Sequence, residues 1–135
     1  MCIRDRAEVA ELGLVTNGIA EVQRAKIARL GLSRWFDAIS ISGELGVAKP
    51  DPAIFDHALS QCTSAAAIPR TSVLMVGDSV GSDIRGAERA GLSSCWLRPD
   101  ATAEAPEAMT IDHQIDRLEE LSAIVTNTPS GRGQN

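Results

Sequence analysis

The stretch that most limits what this chain can fold into is residues 73–83. Val73-Leu74-Met75-Val76-Gly77 is an apolar run of strand length, and it leads straight into Asp78-Ser79-Val80-Gly81-Ser82-Asp83. A short apolar run bounded by turn residues is the pattern of a strand buried on both faces, as in parallel sheets covered by helices. α/β proteins bind ligands outside the carboxyl ends of such strands. Two carboxylates five residues apart across a Gly/Ser turn at that place are hard oxygen donors of the kind Mg²⁺ prefers. Without a cation between them they would repel, and one pKa would rise. A metal is therefore the economical reading. The bland alternative is an acidic helix start complementing the helix dipole.

The rest of the chain alternates in the same manner. Leu12–Val15 is a second apolar strand, ending at Thr16-Asn17-Gly18. A helix is expected over about Ile19–Leu30, stopped by Gly31 as a left-handed C-terminal residue. Leu32–Phe36 is a connection, Ala38–Ser42 a strand and Gly43–Lys49 a loop. Asp51 followed by Pro52 is a helix start, with the cap acceptor first and Pro at the first helical position. Ile54, Phe55, Ala58, Leu59 and Cys62 then share one face. Thr63–Ser72 is a connection. After the central strand come a helix over about Ser82–Ala90 closed by Gly91, a strand at Ser93–Leu97 and a loop at Arg98–Pro106. A short edge strand is expected at Met109–Ile111, and a capping box at Asp116–Glu119 before a last helix carrying Leu118, Leu121 and Val125. Strands alternating with helices of about ten residues imply βαβ units. The fold class is α/β, a three-layer α/β/α Rossmann-like parallel sheet.

Composition bounds the partners. The chain has 135 residues, 13 basic and 18 acidic, with a net charge of −5 and no basic block. That argues against nucleic acid, while a local Lys and a metal can still recruit a small anion. No apolar run reaches membrane-span length, so no membrane partner is expected. Cys2, Cys62 and Cys95 are odd in number and have no metal-ligand spacing. This suits buried thiols in a reducing, cytoplasmic setting. Oligomeric state is open.

Two further segments hold polar groups at strand ends. Thr16-Asn17-Gly18 offers a hydroxyl and backbone N–H groups just before a helix, a natural site for phosphate oxygens; alone, Thr16 reads equally as a cap. Lys49, between a loop and a proline-fixed helix start, can bring a point charge to a phosphoryl group; alone, it reads as a solvated loop lysine. His57 and His113 have no spaced ligand partners. Trp35, Phe36 and Trp96 read as packing residues, Cys95 as an inert thiol and Glu119-Glu120 as a solvated helix face.

Taken in order, apolar strand–Thr16-Asn17-Gly18, then Val47-Ala48-Lys49-Pro50-Asp51-Pro52 before a helix, then strand–Gly77-Asp78-Ser79 with Asp83 five residues on, the chain resembles the haloacid dehalogenase (HAD) superfamily. The resemblance covers roughly Leu12–Val125 and matches the second, third and fourth motifs of that superfamily. The stretches LVTNG, GVAKPDPAIFDHAL, VLMVGDSVGSDIRGAERAG and CWLRPD look most like its pyrimidine 5′-nucleotidase branch. The resemblance implies a Mg²⁺-dependent phosphomonoester hydrolase acting through an aspartyl-phosphate, with a small-molecule phosphate ester such as a nucleoside 5′-monophosphate as substrate. It assigns Thr16, with the Asn17 amide and Gly18 beside it, and Lys49 to the phosphate, and Asp78 and Asp83 to the metal. For Asp83 it leaves two tasks open, holding the metal shell or orienting Lys49.

The superfamily's first motif, Asp-x-Asp after an apolar strand, does not occur in the sequence. Cys2-Ile3-Arg4-Asp5-Arg6 offers neither the strand nor the second Asp. The attacking Asp, the general acid, one metal ligand and the helical cap that reads the substrate thus have no candidates here. The resemblance places the first-motif strand between the strands ending at Thr16 and Gly77, where its absence leaves a gap. Residues 1–6 read as a spurious start, 7–125 as the C-terminal part of the core domain and 126–135 as a disordered tail. The parent protein is expected to extend upstream, and this chain alone to be inactive. The alternatives are a non-catalytic phosphate-binding remnant, a phosphoglycolate or sugar-phosphate phosphatase, and a haloacid dehalogenase, which would not need the two Asp residues. A response-regulator receiver is disfavoured, because its Thr and Lys follow the phosphoacceptor Asp, whereas here both precede Asp78.

Overall fold

The computed structural model describes residues 11–100 and 102–127. The start segment 1–6 and residues 128–135 of the expected tail lie outside them, while residues 126 and 127 close the last helix. The elements are β1 (Gly13–Thr16), α1 (Ala20–Leu30), β2 (Ala38–Ile41), α2 (Ser42–Leu45), α3 (Pro52–Ser60), β3 (Leu74–Gly77), α4 (Arg85–Ala90), β4 (Ser93–Leu97), β5 (His113–Ile115) and α5 (Leu121–Asn127).

The local chemistry explains most boundaries. Asp51 accepts a hydrogen bond from the Ala53 N–H at 2.9 Å and Pro52 opens α3, so the helix begins where the cap pattern placed it. α1 and α4 both end on a left-handed glycine. In each, the next residue's N–H reaches back to the last turn, Leu32 to the Ile27 carbonyl at 3.0 Å and Leu92 to that of Ala87 at 2.9 Å. This double closure needs a positive φ, which only glycine adopts at little cost.

Pairing is parallel throughout. β1 runs beside β2 with Gly13 opposite Ala38, and β3–β4–β5 form a second sheet with Leu74 opposite Ser93 and Cys95 opposite His113. Among the described residues, the two sheets are not hydrogen-bonded to each other. They share one core instead. Ile54 and Phe55 of α3, Ala87 and Ala90 of α4, and Leu92 form a buried cluster, and Val15 of β1 and Met75 of β3 both pack against it. Among the described residues, β1 pairs only with β2, and β3 only with β4. Every residue of β3 is merely half-buried, whereas Ser94, Cys95 and Trp96 of β4 are fully buried. Among the described residues no ladder joins β1 to β3, and the HAD resemblance puts a further strand between them.

Four expectations shift. The loop over Gly43–Lys49 begins as the single helical turn of α2, which is closed by Gly46. The helix from Ser82 starts with a wide turn over Val80–Ile84, in which the Ile84 N–H bonds to the Ser79 carbonyl at 3.2 Å; regular α-geometry begins at Arg85. The edge strand is His113–Ile115 rather than Met109–Ile111. Asp112 accepts the Ser94 N–H at 2.9 Å and donates its own N–H to Ser94 Oγ at 3.2 Å. This pair of bonds replaces ladder bonds at Ser94, so pairing starts only at Cys95. The capping carboxylate is Glu120, not Glu119, and it accepts the Asp116 and Arg117 N–H groups at 2.7 and 3.0 Å. Asp116 is drawn away to Arg98 at 2.5 Å.

Candidate active site

Three connections, those following β1, β2 and β3, meet at one place. The Asn17 side chain grips the Lys49 backbone from both sides: its Oδ1 accepts the Lys49 N–H at 2.9 Å and its Nδ2 donates to the Lys49 carbonyl at 3.2 Å. Residues 32 positions apart are thereby fixed in register. Lys49 Nζ then crosses to the other sheet and pairs with Asp83 Oδ1 at 2.6 Å, with side-chain exposures of only 12% and 7%. A pair this enclosed holds a defined geometry, because neither charge can be left alone out of water.

Asp83 is positioned by the wide turn. Its second oxygen, Oδ2, accepts the Ser79 N–H at 3.1 Å, and Ser79 Oγ accepts the Ser82 N–H at 3.2 Å. The carboxylate lies tight against the end of β3. A Cβ on Gly77 would stand 2.2 Å from Asp83 Oδ2, so only glycine leaves room for it. Of the two tasks open for Asp83, its contacts are those of the lysine-orienting one.

The remaining predicted residues are placed as follows. Asp78 is exposed at the mouth of β3 and its carboxylate has no hydrogen-bond or ion-pair partner among the described residues. Thr16 Oγ1 has only a long 3.4 Å bond to the Asn17 carbonyl, which leaves it available to a ligand. The Gly18 N–H is taken by Ser42 Oγ at 2.8 Å, and its carbonyl accepts the Gly43 N–H at 3.0 Å. The Asn17 side-chain amide and the Gly18 N–H are therefore taken up by the structure, whereas among the described residues Thr16 Oγ1 has only its long bond and Lys49 Nζ is held by Asp83.

Sequence reasoning missed two contributors. Ser42 secures the 16–18 turn from the end of β2; its signal was a Ser-Gly pair at a strand's carboxyl end. Trp96, read as packing, is 3% exposed and donates its indole N–H to the Asp78 carbonyl at 3.1 Å. His57 does pair, with Ser40 Oγ at 2.7 Å from its Nδ1, but Ser40 is buried and the pair serves α3–β2 packing. Burial pushes the Cys95 thiol up to about 11, which keeps it protonated and inert.

A magnesium ion can be tested against these donors. No group of three or more His, Cys, Asp or Glu side chains converges among the described residues. Mg²⁺ does not need such a cage: it keeps several waters and is often held by one or two carboxylates with substrate phosphate oxygens. An unpaired, exposed carboxylate at a strand mouth fits as one part of such a shell.

Comparison with known proteins identifies the fold and the family. The haloacid dehalogenase-like hydrolase model matches residues 2–91, and the chain belongs to that family. It is 42% identical over 116 residues to pyrimidine 5′-nucleotidase YjjG of Escherichia coli, covering 86% of this chain and 50% of that protein. It is 40% identical over 110 residues to a phosphoserine phosphatase of Thermus thermophilus, covering 82% and 42%. The crystal structure of the HAD-hydrolase YfnB of Bacillus subtilis bound to magnesium superposes with a TM-score of 0.80 at 31% identity, over 91% of this chain and 52% of that one. The chain spans about half the length of the curated relatives it matches. No helix among the described residues is long and apolar enough to cross a membrane.

Proposed function

We propose that this chain forms the phosphate- and metal-binding half of a Mg²⁺-dependent phosphomonoester hydrolase that acts on pyrimidine nucleoside 5′-monophosphates. The observation that carries the reading is the enclosed Lys49–Asp83 pair, tied by Asn17 to the turn after β1, with the unpaired Asp78 carboxylate at the mouth of β3, the strand from which Asp83 follows. An arrangement that fixes one cation and leaves one carboxylate free suits a phosphoryl group shared between a lysine and a metal. The substrate class is supported by the 42% identity to a pyrimidine 5′-nucleotidase.

In this reading Asp78 holds the metal, which when bound supplies positive charge to the phosphoryl oxygens. Lys49 Nζ neutralises the same group, and Asp83 keeps the ammonium aimed there. Thr16 Oγ1 donates to one phosphoryl oxygen. The attacking carboxylate belongs to a strand seated between β1 and β3. It bonds to phosphorus as the ester P–O bond breaks, the leaving oxygen takes its proton from the general acid of that same strand, and water then hydrolyses the aspartyl-phosphate. Splitting one displacement into two easier steps is the gain of covalent catalysis, and fixed charges that need not reorganise stabilise each transition state.

The test compares this 135-residue chain with a longer protein that carries the upstream coding sequence, assayed on CMP, UMP, phosphoserine and phosphoglycolate. The expected result is no turnover by the short chain, Mg²⁺-dependent release of phosphate from the pyrimidine nucleotides by the longer one, and loss of that activity in Asp78→Ala. Turnover by the short chain removes the need for an added strand. Full activity in Asp78→Ala removes the metal assignment, and preference for phosphoserine replaces the substrate class.

A further inference from the structure

We propose that Trp96 is a positioning residue for the metal-binding carboxylate, acting through the Asp78 main chain; the proposal rests on the reading of Asp78 as the Mg²⁺ ligand. The peptide unit joining Asp78 to Ser79 is held at both ends. Its N–H donates to Asp83 Oδ2 at 3.1 Å, and its carbonyl accepts the Trp96 indole N–H at 3.1 Å. That unit sets the backbone torsion following the Asp78 α-carbon, so the two bonds together hold the direction in which the Asp78 Cα–Cβ bond leaves the strand. The other bonds of the turn, from the Asp83 and Ile84 N–H groups to the Ser79 carbonyl and from the Ser82 N–H to Ser79 Oγ, tie residues 79–84 only to each other. Trp96 adds the connection to the neighbouring strand. It lies opposite Gly77 in the parallel register, which brings its ring beside the last residue of β3 and its nitrogen to the carbonyl one residue on.

A purely packing role would need only the ring. Phe would then serve as well, whereas here Phe leaves the Asp78 carbonyl without its donor. Groups that orient a metal ligand without touching the metal commonly change affinity 10–100-fold when removed. For Trp96→Phe a rise of about tenfold in the Mg²⁺ dissociation constant is expected, at the low end because the Ser79 N–H bond remains.

The experiment titrates Mg²⁺ into the isotope-labelled longer protein that carries the upstream coding sequence, and follows the Trp96 indole N–H signal by NMR, assigned by its loss in Trp96→Phe. In the wild type, the Trp96 indole proton should be protected from solvent exchange and should shift as Mg²⁺ is added. Asp78→Asn should abolish that shift, and Trp96→Phe should weaken Mg²⁺ binding, followed through backbone amides of residues 77–84, about tenfold. A structural role alone would lower the thermal midpoint and leave the dissociation constant where it was. Unchanged affinity in Trp96→Phe, with affinity lost in Asp78→Asn, overturns the Trp96 proposal and leaves the metal reading standing. Unchanged affinity in Asp78→Asn, or no Mg²⁺ response in the wild type, overturns the metal reading and this proposal with it. Should Trp96→Phe not fold, the wild-type indole decides: rapid exchange overturns the proposal, and protection with a Mg²⁺-dependent shift supports it.

Discussion

At the scale of single residues, the Lys49–Asp83 pair shows how the candidate site is kept in shape. Both side chains are almost out of water, so removing one partner strands the other. Asp83→Asn should cost about 3–5 kcal/mol of stability in urea unfolding. The double variant Lys49→Met/Asp83→Leu should recover much of that, because replacing both charges by apolar groups removes the desolvation burden as well as the attraction. A double variant no more stable than Asp83→Asn would show that the pair stabilises the chain on its own account. Glu11 offers a pH-dependent case. Its carboxylate accepts the Thr63 N–H, the Thr63 hydroxyl and the Ser64 N–H at 2.6–2.9 Å. These bonds hold its pKa down from the ordinary 4.5 to about 2. A folded-state pKa that is lowered means a contribution complete above 4.5 and lost as the pH falls toward 2. The stability difference between wild type and Glu11→Gln should therefore be flat above that window and shrink through it. A constant difference down to the lower end would show that the charge of Glu11 is not what the three bonds require.

Between elements, the contact of α3 with α4 turns on Gly86. A Cβ there would lie 2.5 and 2.7 Å from two ring atoms of Phe55, which is itself 2% exposed. Helix propensity alone would have Gly86→Ala gain up to about 1 kcal/mol. The clash is with a ring that has nowhere to go, and overpacking costs about 1–3 kcal/mol. A lower urea midpoint is therefore expected, partly restored by adding Phe55→Leu; a higher midpoint would mean that propensity outweighs packing at this contact. β2 illustrates a different need. Among the described residues it pairs only with β1, and the Ile39 N–H on its outer edge is taken by Gln61 Oε1 at 2.8 Å. A side chain there does the work of a neighbouring strand and leaves one edge donor fewer for unwanted pairing.

At the scale of the whole fold, the defining feature is a shared core beneath two sheets that no ladder joins among the described residues. Parallel strands of this composition are ordinarily interior on both faces, yet β3 is half-buried along its length. The backbone groups on the inner sides of β1 and β3 have no ladder partner among the described residues. Amide exchange should show it. The amides of β4, which has neighbours on both sides, should be the slowest of the strands, and those of β1 and β3 markedly faster. Equal protection in β3 and β4 would mean that the gap between the sheets is filled.

The sequence by itself determined most of the elements and singled out the residues proposed for the site. Apolar runs ending in Thr16-Asn17-Gly18 and Gly77-Asp78, the Asp51-Pro52 start, and the glycines at 31 and 91 are local signals. Each works through its own φ/ψ preference or hydrogen bonds a few residues away, so the order of letters carries it. The edge strand at His113–Ile115 escaped because Asp112 and Ser94, 18 residues apart, set where pairing begins, and His-Gln-Ile has little apolar signal of its own. The tertiary structure alone decided the working relations within the site. Asn17 serves the Lys49 backbone, Asp83 pairs with Lys49, and Trp96 bonds the Asp78 carbonyl, across separations of 32, 34 and 18 residues. Contacts at that range depend on which strands lie side by side and in what register. That is fixed by packing onto the common α3–α4 core, and no residue's own preferences encode it.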